Sequence, residues 1–177
     1  VLLIEKGVWP RDKVCGDAVG GKSLGHGKAL GVKAKLESSP HFRVNGIVFS
    51  SPNGASVRVA LPEEDVEKME AGYSLPRQQF DWILFERATA LVLENGGSVI
   101  QGGDVREVKT SEDGSTITGV DVRIGGRKGE IFSYNADWTV GAGGYQCPVA
   151  KKIVRDIAKE EMVDKMHYCG GYREYWK

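Results

Sequence analysis

The chain opens on Val1-Leu2-Leu3-Ile4-Glu5, a short apolar run that ends in an acid. Such a run reads as a buried parallel strand with its carboxylate at the C-terminal edge. In dinucleotide-binding folds an acid in this place follows a glycine-rich turn by about 20 residues and binds ribose hydroxyls. Here no G-x-G-x-x-G and no earlier strand stand before Glu5. The chain therefore reads as starting at the second strand of a nucleotide-binding domain, with the first βα unit outside it. That reading carries the expectation that this stretch is inactive alone.

At 177 residues the chain is long enough for a real core. Lys plus Arg and Asp plus Glu are equal in number, so the net charge is zero and nucleic acid is not indicated as a partner. No apolar run approaches the roughly 20 residues that span a bilayer, and no signal peptide is visible. Peripheral membrane contact stays open, and a reducing cytoplasmic location is the default expectation. Cys15, Cys147 and Cys169 are widely spaced and form no CxxC pair, so neither a metal site nor a disulfide framework is indicated. His26, His41 and His167 do not cluster with acids or cysteines at ligand spacing and are read as non-catalytic, the last two at sheet edges.

Hydrophobic spacing outlines the elements. A helix is expected from about Gly21 to Leu30, although its glycines each weaken it by about 1 kcal/mol relative to Ala. It is credible only when packed closely on another backbone or a ligand. Phe42–Ser50 and Ala55–Leu61 read as a hairpin around Ser51-Pro52-Asn53-Gly54, with one covered face. Residues 63–72 are charged and expected to be exposed. Phe80, Ile83, Leu84, Ala88, Leu91 and Val92 follow helical spacing from Arg77 to Asn95, and Asn95-Gly96-Gly97 ends that helix. Ser98–Gln101 is a short strand, and Val105–Thr110, Ile117–Ile124 and Glu130–Asn135 form a β-meander. Trp138–Gly141 reads as a buried strand, followed by a helix from Pro148 to about Ile157. Met162–Lys177 is aromatic-rich and reads as a final strand. Trp138, Tyr172, Tyr175 and Trp176 are packing residues first; the last three also suit an aromatic wall for an isoprenoid.

Three segments carry a pattern. The first is Glu5 with Pro10-Arg11-x-Lys13-x-Cys15-Gly16-Asp17 behind it. The second is Leu75-Pro76-Arg77-x-x-Phe80-Asp81, followed by Gly102-Gly103 and Val105. The third is Val140-Gly141-Ala142-Gly143-Gly144-Tyr145-x-Cys147. In this order they resemble the geranylgeranyl reductase family of FAD-dependent oxidoreductases. The tail Tyr168-Cys169-Gly170-Gly171-Tyr172-Arg173-Glu174-Tyr175-Trp176 is similar to the stretch that opens that family's substrate-domain sheet.

The resemblance implies an α/β fold: an incomplete Rossmann-like FAD-binding domain of the p-hydroxybenzoate-hydroxylase type, with an inserted antiparallel meander. Residues 1–160 would form the cofactor domain, the hairpin at 42–61 would join the substrate-side sheet, and 161–177 would begin the substrate domain. Glu5 would bind the adenosine ribose, and Arg11 and Lys13 the FAD pyrophosphate. Arg77 would face the ribityl-phosphate region, with Gln78 as a weak helper, and the Val105 backbone would meet the adenine. Cys15 and Gly16 would lie on the active-site side of the flavin ring. The family's third motif is G-A-D-G; Gly143 stands here in place of the acid, leaving the backbone N–H groups of Gly143 and Gly144 to meet phosphate or ribityl oxygens. The implied substrate is an isoprenoid lipid carrying geranylgeranyl chains, of archaeal ether-lipid type before a chlorophyll-type tail, with NAD(P)H or a ferredoxin-like carrier as reductant.

Bland readings stand beside these. Glu5 is also a plausible solvated strand-end acid, Cys15 a structural cysteine and Gly143-Gly144 a plain turn. An electron-transfer-flavoprotein dehydrogenase relative, an aromatic hydroxylase or a binding module without cofactor remain open.

Overall fold

A computed structural model describes residues 1–68, 70–162, 166 and 169–174. In chain order the elements are β1 (Leu2–Glu5), β2 (Ala18–Val19), α1 (Lys22–Ala29), α2 (Lys33–Glu37), β3 (Phe42–Arg43), β4 (Gly46–Ser50) and β5 (Ser56–Ala60). Then come α3 (Glu63–Glu67), β6 (Tyr73–Ser74), α4 (Arg77–Glu94), β7 (Ser98–Gln101), β8 (Asp104–Thr110), β9 (Ile117–Ile124), β10 (Glu130–Asn135) and α5 (Pro148–Lys151). The chain divides into two compact units, one of Val1–Trp9 with Asn95–Gly170, the other of Pro10–Glu94 with Gly171–Lys177.

The first unit pairs β1 with β7 in parallel, so that Glu5 stands opposite Gln101. Beside that pair is the antiparallel meander in the order β10-β9-β8. Ile4 and Val105 pack on a core of Val108, Val120, Val122, Cys147 and Val149. The strands form here because branched residues recur on one face of each, the side that meets the core. A bulge between Val105 and Glu107 shifts the register of β8 against β9.

The second unit centres on β6, which lies between β2 and β3 in a small antiparallel sheet. Val19, Val32, Leu36, Tyr73, Leu75 and Ile83 form its core, with Leu24, Phe80 and Leu84 packed on it. The α4 residues in that set are those its spacing put on one face, whereas Leu91 further along is exposed. In the glycine-rich helix α1, Gly27 is buried and a side chain there would meet Leu36 and Val32 at ordinary contact distance, while Gly25 faces open space. Gly72 has φ +104°, and an added Cβ would lie 2.5 Å from the Val19 carbonyl, which fixes glycine there.

Several expectations need correction. The strand expected over 42–50 breaks into β3 and β4, because Val44 donates to the Gly72 carbonyl while Leu61 donates to the Asn45 carbonyl. The hairpin pairs Ile47 with Val59 and Phe49 with Val57, while Val48 faces Arg58. Its apolar face is thus Ile47, Phe49, Val57 and Val59, and all four are exposed rather than covered. The described residues of 63–72 are largely exposed, as their charge implies, and include the short helix α3; α2 has no signal in the sequence. Trp138–Gly141 is not a strand: no ladder partner runs alongside it among the described residues, and Trp138 is 90% exposed. The helix from Pro148 is α-helical only to Lys151 and continues as a π-helical turn over Lys152–Ile157. The described residues of 162–177 carry no strand; His167, Tyr175 and Trp176 lie outside the described residues.

Candidate functional site

In the first unit Glu5 sits where the sequence placed it, half-buried at the C-terminal end of a parallel strand. Its Oε1 accepts the Gly7 N–H at 2.7 Å, and its carbonyl accepts the Gly103 N–H at 3.0 Å. Gly102 donates to the Gly7 carbonyl and Trp9 to the Gln101 side chain at 2.8 Å. The strand end is therefore bound into a compact turn in which glycine backbone lies next to the acid. Gly103 is closely packed there, since a Cβ would come within 2.9 Å of Ile100, 3.0 Å of Ile4 and 3.1 Å of Val122. Lys6 pairs with Asp104 at 3.0 Å and holds that carboxyl below its usual range, with Arg106 adding to the effect. Val105 lies on β8 opposite Val122, its side chain in the packing around the core.

Gly143 and Gly144 are exposed and open a 3-10 turn, Gly144 with φ +70°. A side chain at Gly143 would press on Cys147 at 3.3 Å, and one at Gly141 on Val149 and the Cys147 sulfur at 3.0–3.1 Å. Buried Cys147 is thus the floor under this turn, a packing role.

In the second unit Arg11 is half-buried, whereas Lys13, Cys15 and Gly16 are exposed on an irregular loop. Nothing lies within 4 Å of a Cβ placed on Gly16, so its backbone is open to approach. Arg77 opens α4, where a cation opposes the helix dipole. The chain supplies the anions itself. Arg77 grips Asp81 through Nε at 2.9 Å and Nη2 at 2.6 Å, a two-pronged pair with side chains only 14% and 13% exposed. Asp81 chiefly raises the Arg77 pKa, partly opposed by burial, and the Cys15 side chain adds to the rise. Asp17 accepts the Arg77 N–H at 3.1 Å. Arg173 donates to Asp17 at 2.9 Å and also to Asp12, holding the Asp12 carboxyl below its usual range.

The structure thus joins Cys15, Gly16 and Arg77 in one neighbourhood of the second unit, and places Glu5, Val105, Gly143 and Gly144 in the first. The roles of Asp12, Asp17, Asp81 and Arg173 escaped the sequence reading. The i,i+4 spacing of Arg77 and Asp81 was the available signal for one pair; the Arg173 contacts had none. His41 packs against Tyr73 with the rings tilted by 52° and their centroids 5.3 Å apart, a packing place. Among the described residues no cluster of His, Cys, Asp or Glu is arranged to hold a metal, and no helix is long and apolar enough to cross a membrane.

In the first unit a strand-end carboxylate beside bare glycine backbone is of the chemical type that suits a diol, and in the second Arg11 and Lys13 are of the type that suits phosphate oxygens.

No family model matches the chain. A stretch of 58 residues is 48% identical to conditioned medium factor receptor 1 of Dictyostelium discoideum, covering 32% of this chain and 11% of that protein. The flavin-dependent halogenase CmlS superposes with a TM-score of 0.65 at 21% identity, over 86% of this chain and 26% of its own. The myxobacterial chondrochloren halogenase CndH, an FAD-dependent halogenase, gives 0.60 at 19% identity, over 76% of this chain and 29% of its own. Aklavinone-11 hydroxylase, solved with FAD and aklavinone, gives 0.57 at 20% identity, over 86% of this chain and 30% of its own. The chain spans less than a third of each of these proteins. At such identities the likeness is one of fold: this chain has the α/β architecture of part of a Rossmann-like FAD-binding flavoprotein domain.

Proposed function

We propose that the chain belongs to an FAD-dependent oxidoreductase that reduces C=C bonds in geranylgeranyl-type isoprenoid chains. The observation that carries this reading is the meeting of two of its motif segments in space. Asp17, directly after Cys15-Gly16, holds the N-terminus of the helix that begins at Arg77. The shared fold with FAD-dependent enzymes supports the cofactor. The order of the three segments supports the substrate.

FAD held by these residues, once reduced by NAD(P)H or a ferredoxin-like carrier, would supply hydride chemistry to one alkene carbon, with the proton for the other coming from water or an acid. The residues of this chain bind and shape. Glu5 accepts hydrogen bonds from the ribose hydroxyls. Arg11 and Lys13 neutralise the pyrophosphate, and the Gly143 and Gly144 N–H groups donate to phosphate or ribityl oxygens. Val105 offers backbone groups to the adenine. Arg77, its charge shared with Asp81, faces the ribityl-phosphate region. Cys15 would form a small polarisable wall beside the flavin ring, and Gly16 would let the backbone approach that ring. The β4–β5 hairpin, with its exposed apolar face, would lie on the side of an aliphatic substrate.

The test is FAD uptake, read from the flavin absorbance bands. It is made on the purified chain and on a version lengthened N-terminally by a strand and glycine-rich turn. Bound flavin is expected, and once reduced with dithionite it should be reoxidised anaerobically by a geranylgeranyl lipid; no flavin in either protein sinks the proposal. Oxygen-dependent turnover of an aromatic compound instead would move it to the hydroxylase reading. The 58-residue match to a receptor favours a second reading, a binding module without cofactor, which the same uptake experiment separates.

A further inference from the structure

Arg173 makes an unusual set of bonds. Its Nη1 donates to Asp17 Oδ1 at 2.9 Å and lies 3.4 Å from the Cys15 carbonyl, and its Nη2 donates to the Asp12 carboxylate. Three points of one loop are thus tied to a single guanidinium. The Arg173 and Asp17 side chains are sheltered, at 13% and 16% exposed. An ion pair in such a place is worth more than one in open solvent.

The loop needs such a tie. From Asp12 to Gly16 it has no helix or strand, and Val14, Cys15 and Gly16 are exposed. A segment with so few apolar contacts takes its shape from polar bonds or does not hold one. A guanidinium reaches two carboxylates and a carbonyl together because its five donors are fixed in one plane. Asp17 passes the constraint onward, since the oxygen that receives Arg173 also receives the Arg77 N–H.

We infer that Arg173 is a positioning residue. It fixes the loop that carries Cys15 and Gly16 relative to the start of α4, without touching the reacting atoms. Its consequence for catalysis rests on the flavin reading above; the clamp itself does not.

The experiment is 15N relaxation on the flavin-free chain in its wild-type, R173Q and R173K forms. Backbone order parameters over residues 13–17 are expected near the rigid value of about 0.85 in the wild type and below about 0.6 in R173Q. R173K should recover part of the order, and α4 should be unchanged in all three forms. Unchanged order over 13–17 in R173Q overturns the inference. So does an equal fall throughout α4, which would mark a general loss of structure.

A second arm adds FAD. R173Q should shift the flavin absorption spectrum, while R127Q, on the exposed turn after β9, should leave it alone. Identical spectra for wild type and R173Q overturn the link between this loop and the flavin. If the wild type takes up no FAD, the functional reading fails and the relaxation data decide the clamp.

Discussion

The Asp17 carboxylate caps a helix that begins 60 positions later, accepting the Arg77 N–H at 3.1 Å. The residue before α4 is Pro76, which has no side-chain acceptor, so the exposed N–H groups of the first turn look outside the helix for partners. Asp17→Ala should destabilise the second unit by about 1–2 kcal/mol, the usual cost of a lost cap. Asp17→Asn should retain most of that. Urea unfolding followed by circular dichroism measures both, and an unchanged midpoint in Asp17→Ala would remove the capping role.

Arg77 and Asp81 form the second testable pair. Breaking a sheltered pair from one side leaves the other charge without its partner, so Arg77→Ala should cost about 1–3 kcal/mol. The double variant with Asp81→Ala should cost less than the sum of the two single changes, because the second removal relieves the stranded charge. Additive costs would show that the pair contributes nothing. With stability matched by temperature, Arg77→Ala should still retain less FAD than Lys13→Ala; equal retention would count against Arg77 as a flavin-side residue.

Asp113 sits in the turn between β8 and β9 and accepts the Ser111 hydroxyl, then the Ser115 N–H and hydroxyl. These bonds favour its charged form and lower its pKa from 3.8 to about 2. The folded value lies below the unfolded one, so the contribution is complete above about pH 4 and lost as pH falls through about 2. Carboxyl titration by NMR should show Ser111→Ala moving Asp113 back toward 3.8. No movement would mean that the Ser111 bond does not set the value.

Gly103→Ala addresses the strand end itself. The added methyl would press on Ile4, Ile100 and Val122 at 3.1 Å or less. Overpacking of this kind should cost about 1–3 kcal/mol in the first unit. It should also weaken FAD uptake with Glu5→Gln as the comparison. A thermal midpoint within a degree or so of wild type would show that the three side chains yield freely.

The parts of this fold that were legible are those whose neighbours lie close in sequence or whose pattern is strong. β1 and β7 are short branched runs, α4 repeats its apolar residues at helical spacing, and the meander announces itself by glycine turns. Trp138–Gly141 misled because an apolar run signals a strand only when another strand lies beside it. The five-residue helices α2 and α3 are too short for periodicity to register. The place of Glu5 at a strand end is legible because position alone defines it. Arg77 at a helix start signals a cation in need of an anion, and Asp81, one helical turn on, supplies it. Asp17 and Arg173 depend on contacts between distant segments, which no local pattern encodes.

The parallel pairing of β1 with β7 has a kinetic meaning. Trp9 bonds to Gln101 across 92 positions, and nearly all of the intervening chain belongs to the other unit. Closing so long a loop costs chain entropy before any strand contact repays it. On this entropy argument the strand end that carries Glu5 is expected to form after the Arg77 helix has found its core on Tyr73 and Leu75. A substitution in that inserted core would slow the formation of a turn it never touches.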